Sequence, residues 1–318
     1  MPMNSKIQKT ENGNLVESPM MKTLIILFLL AGGVYGQPCL HAAKEVAPVM
    51  SAETRSLYEK NLAEAEAVHV DKPNEADSII WLGRRMAYLG NYKKAAWIFS
   101  SGLTLHKTDA RFYRHRGHRY ITLRCFDDAI KDLEKAASLI KGKPDEIEPD
   151  GIPNEKNIPT GTLQSNIWYH LGLAYYLKRD FKNALKAYEE CERVSKNNDM
   201  RVATAYWQYM TLRRLGREKD AKRVLAPFAG NVEVIENIDY LKLIRLNRGE
   251  ITAESLLSTI GGNANSLGSA SLGYGIGNYY LYNGDSKKAA EIFRKIVAGN
   301  QWASFGYIAA EVELNAGA

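Results

Sequence analysis

Three stretches of this chain repeat one skeleton: IIWLGRRMAYLGNYKKAAWIFSSGL (79–103), FYRHRGHRYITLRCFDDAIKDLEKA (112–136) and NIWYHLGLAYYLKRDFKNALKAYEECERV (166–194). Each places an apolar or aromatic residue, a Gly four on, a large residue three after that, a turn, an Ala, and a bulky residue four beyond it. The slots are Ile79, Gly83, Met86, Ala95 and Phe99; Tyr113, Gly117, Tyr120, Ala129 and Leu133; and Trp168, Gly172, Tyr175, Ala184 and Tyr188. Steps of three and four align the large residues on one stripe of a helix, and the Gly and Ala let a second, antiparallel helix come close. Each unit therefore predicts a helical hairpin, turned at LGNY, LRCF and LKRD with Tyr92, Phe126 or Phe181 opening the second helix.

The unit recurs after 34 residues from Gly83 to Gly117, and after 55 from Gly117 to Gly172, which is one unit plus an insertion. Three degenerate units follow. One keeps Trp207, Gly216, Ala221 and Leu225, the next keeps Gly249 and an apolar stripe, and the last restores Gly277, Tyr280, Ala289 and Phe293. A helix with Leu57, Tyr58, Leu62 and Ala65, ended by Pro73, reads as a leading cap, and one with Trp302, Phe305, Ile308 and Val312 as a final cap over the last hairpin. This pattern resembles the tetratricopeptide repeat family, with its Trp, Leu-Gly, Tyr, Ala, Phe, Ala and Pro positions. The resemblance implies an all-α fold, a right-handed α-solenoid of antiparallel helical hairpins with about six units and terminal capping helices.

In that family ligands lie in the concave groove formed by the first helix of each hairpin. Carried onto this chain, the groove positions are Arg84 and Tyr88; Arg111, Arg114 and His118; Asn166, Tyr169 and Tyr176; Tyr206, Arg213 and Arg214; and Tyr274, Asn278 and Tyr282. Such a basic, aromatic set suits an acidic or extended peptide segment of a partner protein. Ile80 stands at a slot where the family's carboxylate-clamp members carry a polar residue, which argues against a receptor for chaperone tails.

Upstream of the repeats, MKTLIILFLLAGGVYGQPC from Met21 has the lysine, short apolar run and small residues of a signal peptide, with cleavage expected after Gly36. The polar residues before it make Met20 or Met21 an alternative start. The organisation expected is thus an upstream segment and signal peptide at 1–36, a disordered mature N-terminus at 37–50, and a solenoid at 51–318 carrying a Pro-rich acidic insertion at 141–165. The product is expected to be exported, periplasmic or secreted. No run approaches the roughly 20 apolar residues of a membrane span, and Cys39 lacks the residues before it that a lipobox requires. Three cysteines are few and odd in number, so no disulfide is expected.

Lys and Arg total 42 against 36 Asp and Glu, a net charge of +6 with an isoelectric point near 9.0. That is a mild preference for anionic partners without the dense basic block of a nucleic-acid tail, so no nucleic-acid partner is expected. His115 and His118 stand at a metal-ligating spacing, but Arg111, Arg114, Arg116 and Arg119 crowd the same helix and oppose a cation. Glu146, Glu148 and Asp150 have offsets of a calcium loop, yet the twelfth position is Asn157, and Pro149 and Pro153 break the turn. Neither metal nor other cofactor is expected. Pro144, Pro149, Pro153 and Pro159 instead make an extended, stiff insertion, lying across the solenoid or reaching toward a partner. No phosphate loop, paired-cysteine zinc motif or serine nucleophile motif occurs, so no catalytic residue is assigned and a non-enzymatic scaffold is expected. The alternatives are a carbohydrate-binding module, whose Tyr and Trp would stack sugars, and an envelope enzyme with its site beneath the insertion. The latter would need His115, His118 and an insertion carboxylate within bonding reach.

Overall fold

The structure is a computed structural model describing residues 38–260 and 270–317. The signal peptide expected at 1–36 lies outside the described residues. Chain contacts separate Met1–Pro38, of which Pro38 alone is described, from a unit spanning Cys39–Ala318. A short helix α1 (Pro38–Ala42) precedes α2 (Ala52–Asp71). Among the described residues six helix pairs follow, all but the fifth closely packed as hairpins: α3 (Ala76–Tyr88) with α4 (Tyr92–Leu105), α5 (Ala110–Thr122) with α6 (Phe126–Ile140), and α7 (Leu163–Leu177) with α8 (Phe181–Val194). The remaining three are α9 (Asn198–Arg214) with α10 (Glu218–Leu225), α11 (Ile238–Asn247) with α12 (Ala253–Thr259), and α13 (Ala270–Tyr282) with α14 (Ser286–Val297). The last helix is α15 (Phe305–Asn315). The fold is an all-α solenoid of helical hairpins.

Within a hairpin the small and bulky slots meet. A Cβ added to Gly83 would lie 2.5 Å from the Phe99 ring, and one on Gly172 would lie 2.6 Å from Tyr188. Gly117 faces Leu133 and Gly277 faces Phe293 in the same way. A side chain at the glycine would push the helices apart and open a gap around a fully buried residue, a loss of about 1–3 kcal/mol per site. Four first helices end in a left-handed residue at Gly90, Gly216, Gly249 and Gly284. In the second and third hairpins that residue is Arg124 (φ 63°) and Arg179 (φ 62°), a conformation that costs a non-glycine residue about 1 kcal/mol.

Both arginines hold the final helix. Arg124 pairs with Glu311 at 2.8 Å, donates to the Trp302 carbonyl at 3.0 Å, and stacks its guanidinium 3.9 Å above the Trp302 ring. Arg179 pairs with Glu313 at 3.1 Å, and Glu313, 2% exposed, takes Arg214 of α9 at 2.8 Å. Thus α15 covers α13 and α14 as a cap and also returns to the turns of the second and third hairpins. The leading helix α2 packs on α3, but only Ala65 of its expected stripe is buried, and Leu57 is 54% exposed.

The N-terminal segment requires a correction. Cys39 and Cys125 form a disulfide across 86 residues, and Cys191 is the buried free thiol. The segment at 37–50, expected without structure, contains α1 and is further tied down where Glu45 accepts from the Lys93 amide at 2.7 Å. The pairing has no sequence signature because the turn after α5, rather than any cysteine spacing, brings Cys125 to Cys39. Among the described residues no helix is long and apolar enough to cross a membrane.

Three outcomes test these contacts. Under denaturing conditions, alkylation of the oxidised chain should block one thiol, and reduction should expose three. Reduction should also lower thermal stability, by about 2–5 kcal/mol for a loop of this length. Glu313→Ala should destabilise the unit by about 3 kcal/mol in urea denaturation, because it leaves Arg214 charged and half-buried against α15.

Candidate ligand-binding groove

The first helices of successive hairpins touch one another along the solenoid, while the second helices have little contact among themselves. The unit therefore curves toward the first helices, which line its concave face. Steps of three and four along α3, α5 and α7 direct Arg84, Tyr88, Arg114, His115, His118, Tyr169 and His170 to that face, where they border one cavity of about 410 Å³.

The Pro-rich insertion crosses this face. Its two ends pair as a short antiparallel bridge, Ile147 with Thr162, and the Glu148 amide donates to the Gly161 carbonyl at 3.1 Å. Between them the extended backbone is seated on basic side chains. Arg84 donates to the Pro149 carbonyl and Arg85 to the Gly151 carbonyl, each at 2.7 Å, and Arg114 pairs with Glu148 at 2.8 Å. Gly151 lies against the Tyr88 hydroxyl so closely that an added Cβ would overlap it. The far limb is held by Asn154 and Thr160, which donate to Glu236 at 2.6 and 2.9 Å, and by Asn197, which donates to the Thr160 carbonyl at 2.7 Å. An acidic extended peptide thus already lies on the basic part of the groove, and it belongs to the chain itself.

The positions carried over from the repeat pattern fall into four groups. Arg84, Tyr88, Arg114, His118, Asn166 and Tyr169 come together around the cavity. Tyr176, Arg213, Arg214, Tyr274 and Tyr282 form a second network: the Tyr176 hydroxyl lies 3.0 Å from that of Tyr274 and 3.4 Å from that of Tyr282, Arg213 donates to the Tyr282 carbonyl at 2.8 Å, and Arg214 holds Glu313. Tyr206 is buried and donates to the Gly275 carbonyl at 3.2 Å, and Asn278 is buried against Met210. Tyr176, Tyr206 and Tyr274 present almost no surface, because they are packed among α7, α9, α13 and α15. Arg111 stands apart, engaged by Asp109 and, at 2.6 Å, by Asp77.

Reading slots from the repeat overlooked the acidic anchor Glu148, the floor residue Arg119, and Phe305. The Phe305 ring lies 5.3 Å from His118 and 5.5 Å from His170. Proline content signalled that the insertion is extended, but no local pattern indicated where it docks.

The three histidines are neutral. Burial, then the nearby Arg114 charge, holds His115 and His170 well below the usual imidazole range, and burial followed by Arg119 does the same for His118. Their tautomers follow from their partners. Arg114 has donors only, so the Nδ1 atoms of His115 at 3.1 Å and His118 at 3.5 Å accept, leaving each proton on Nε2. His170 instead donates from Nδ1 to the Asn166 carbonyl at 2.6 Å. Arg114 stands between Glu148 and the histidines, so among the described residues no histidine bonds directly to an insertion carboxylate. One set of potential metal ligands lies within mutual reach among them, Cys39, Cys125 and Asp128, and its two sulfurs are joined in the disulfide.

Residues 165–198, which contain most of α7 and all of α8, match the sequence model of the tetratricopeptide repeat. That hairpin thus carries a tetratricopeptide repeat, and the hairpins on either side share its helix-turn-helix design. No curated protein matches the chain. Solved structures similar to it include YrrB, described as a TPR protein with an unusual peptide-binding site, at 15% identity over 79% of this chain and 97% of that one, with a TM-score of 0.42. A tetratricopeptide repeat protein from Parabacteroides merdae ATCC 43184 is 14% identical over 81% and 93% of the two chains, with a TM-score of 0.45. MamA is 16% identical over 64% and 97%, with a TM-score of 0.42.

The depressed histidines set a pH dependence. Below the ordinary imidazole pKa the unfolded chain binds protons that the folded cavity refuses, so stability rises with pH across that window. Lowering pH from 7 toward 5 should therefore destabilise the protein by up to about 1.4 kcal/mol per histidine per pH unit. Urea midpoints at the two pH values should show this loss, and His118→Phe should reduce it.

Proposed function

We propose that this protein is an exported, non-enzymatic scaffold that binds an acidic or extended segment of a partner protein in the basic, aromatic groove of its first three hairpins. The supporting observation is the seat of residues 148–151, where an extended acidic backbone is already held by Arg84, Arg85 and Arg114. A partner segment presenting a carboxylate would take the place of Glu148 on Arg114 and accept from Arg84 through its backbone, so that binding exchanges one acidic strand for another. Charge-assisted bonds of this kind set register, and the surrounding Tyr88 and Tyr169 supply rigid contact area. The Cys39–Cys125 disulfide supports export, since such bonds persist in oxidising compartments.

The test uses a synthetic peptide of the chain's own sequence, PDEIEPDGIPN (144–154), titrated into three proteins by fluorescence anisotropy. Glu148→Gln, which loosens the resident strand, should bind it at least tenfold more tightly than the unaltered chain, and adding Arg84→Gln should reverse that gain, about 1.4 kcal/mol. Equal binding of a peptide with its acids replaced by amides, or no binding to a folded Glu148→Gln, would remove the groove as the partner site.

A further inference from the structure

Beneath the insertion, the cavity has a floor whose charge the chain does not answer. Arg119 on α5 borders it, and the guanidinium makes no hydrogen bond or ion pair among the described residues; the Tyr92 ring, 5.7 Å from it, is its aromatic neighbour. Burial, opposed by Tyr92 and Tyr88, pushes its pKa down to about 10, which leaves it charged at neutral pH. Five N–H donors without a protein acceptor, partly withdrawn from water, carry a substantial desolvation cost that an anion would offset.

The neighbouring groups add donors. Glu148 is committed to Arg114 through one oxygen, and its other oxygen is buried without a hydrogen-bond partner. Asp150 and Glu236 also border the cavity, but Asp150 is on the crossing strand and Glu236 is exposed and engaged by Asn154 and Thr160. Because Arg114 occupies the Nδ1 atoms of His115 and His118, both imidazoles keep an Nε2–H, again a donor. The walls include the rings of Phe99, Tyr169 and Phe305 and the apolar Met200 and Ala203, beside the polar Asn166, Thr160 and Asn237. A volume of about 410 Å³ excludes a folded partner and suits a small molecule.

We propose that this cavity binds a small organic carboxylate with a flat apolar body, its anionic group on Arg119 and its body between Phe305, Tyr169 and the histidine rings. The site shares this cavity with the peptide seat but has its own anchor, Arg119, where the peptide depends on Arg84, Arg85 and Arg114, so substitutions at Arg119 and at Arg84 test the two readings independently. Guanidinium pairs with carboxylate geometry through two parallel bonds, and the ring-lined walls favour an aromatic body.

Calorimetric titration with benzoate, its neutral counterpart benzamide, and inorganic phosphate tests the proposal on the full chain. Benzoate should bind with a dissociation constant of about 1 mM or tighter, and benzamide at least tenfold more weakly. Arg119→Met should weaken benzoate at least tenfold with unchanged far-ultraviolet circular dichroism. Ala203→Phe, which keeps the charge and fills the space, should do the same. Equal affinity for benzoate and benzamide, unaltered benzoate binding in folded Arg119→Met, or binding of phosphate in place of benzoate would each overturn it.

Discussion

The close approach of two helices within each hairpin is the constraint on which the rest of this structure depends. Where Gly83 meets Phe99 and Gly172 meets Tyr188, there is no room for even a methyl group. That closeness lets the first, third and sixth hairpins bury a large ring against backbone and the second a leucine, and stacking the hairpins then buries their outer faces in turn. The first helices come nearer to one another than the second helices do, and the unit curves as a result. A concave face lined by α3, α5, α7 and α9 follows from packing, before any of its side chains has a function.

That face gathers more positive charge than its own helices neutralise. Arg84, Arg114 and Arg119 point into it from α3 and α5, and Arg179 and Arg214 lie further along. A buried charge without a partner is costly, so a stable fold needs acids from elsewhere in the chain. Glu148 on the insertion answers Arg114, and Glu311 and Glu313 on α15 answer Arg124, Arg179 and Arg214. The insertion and the last helix are thus the electrostatic complement of the first helices. Their placement divides the groove into a strand-covered basic seat, a tyrosine network closed by α15, and the residual cavity above Arg119.

Much of the hairpin design was legible because it is local. The pairing of Gly83 with Phe99 or of Gly277 with Phe293 follows from spacing along helices joined by a short turn. The groove residues were less legible. Counting slots treats Arg114 and Tyr274 alike, yet Arg114 faces the cavity while Tyr274 is sealed under Glu313 and the Tyr176 hydroxyl. Whether a groove position stays open depends on what a distant segment lays over it, and no helical period records that. The Cys39–Cys125 bond was hidden for the same reason, since its partners are 86 residues apart and are brought together by the turn after α5.

Read along the chain, the period of large and small residues already decides the hairpins, their order and the basic, aromatic character of the first helices, because helix geometry converts spacing directly into a face. Only folding in three dimensions decides that residues 148–151 occupy the basic seat, that α15 returns to Arg124 and Arg179, and that Arg119 is left at the floor of a cavity. Those outcomes depend on which long-range partner best neutralises a buried charge, a competition among segments far apart in sequence that is resolved when the concave face forms.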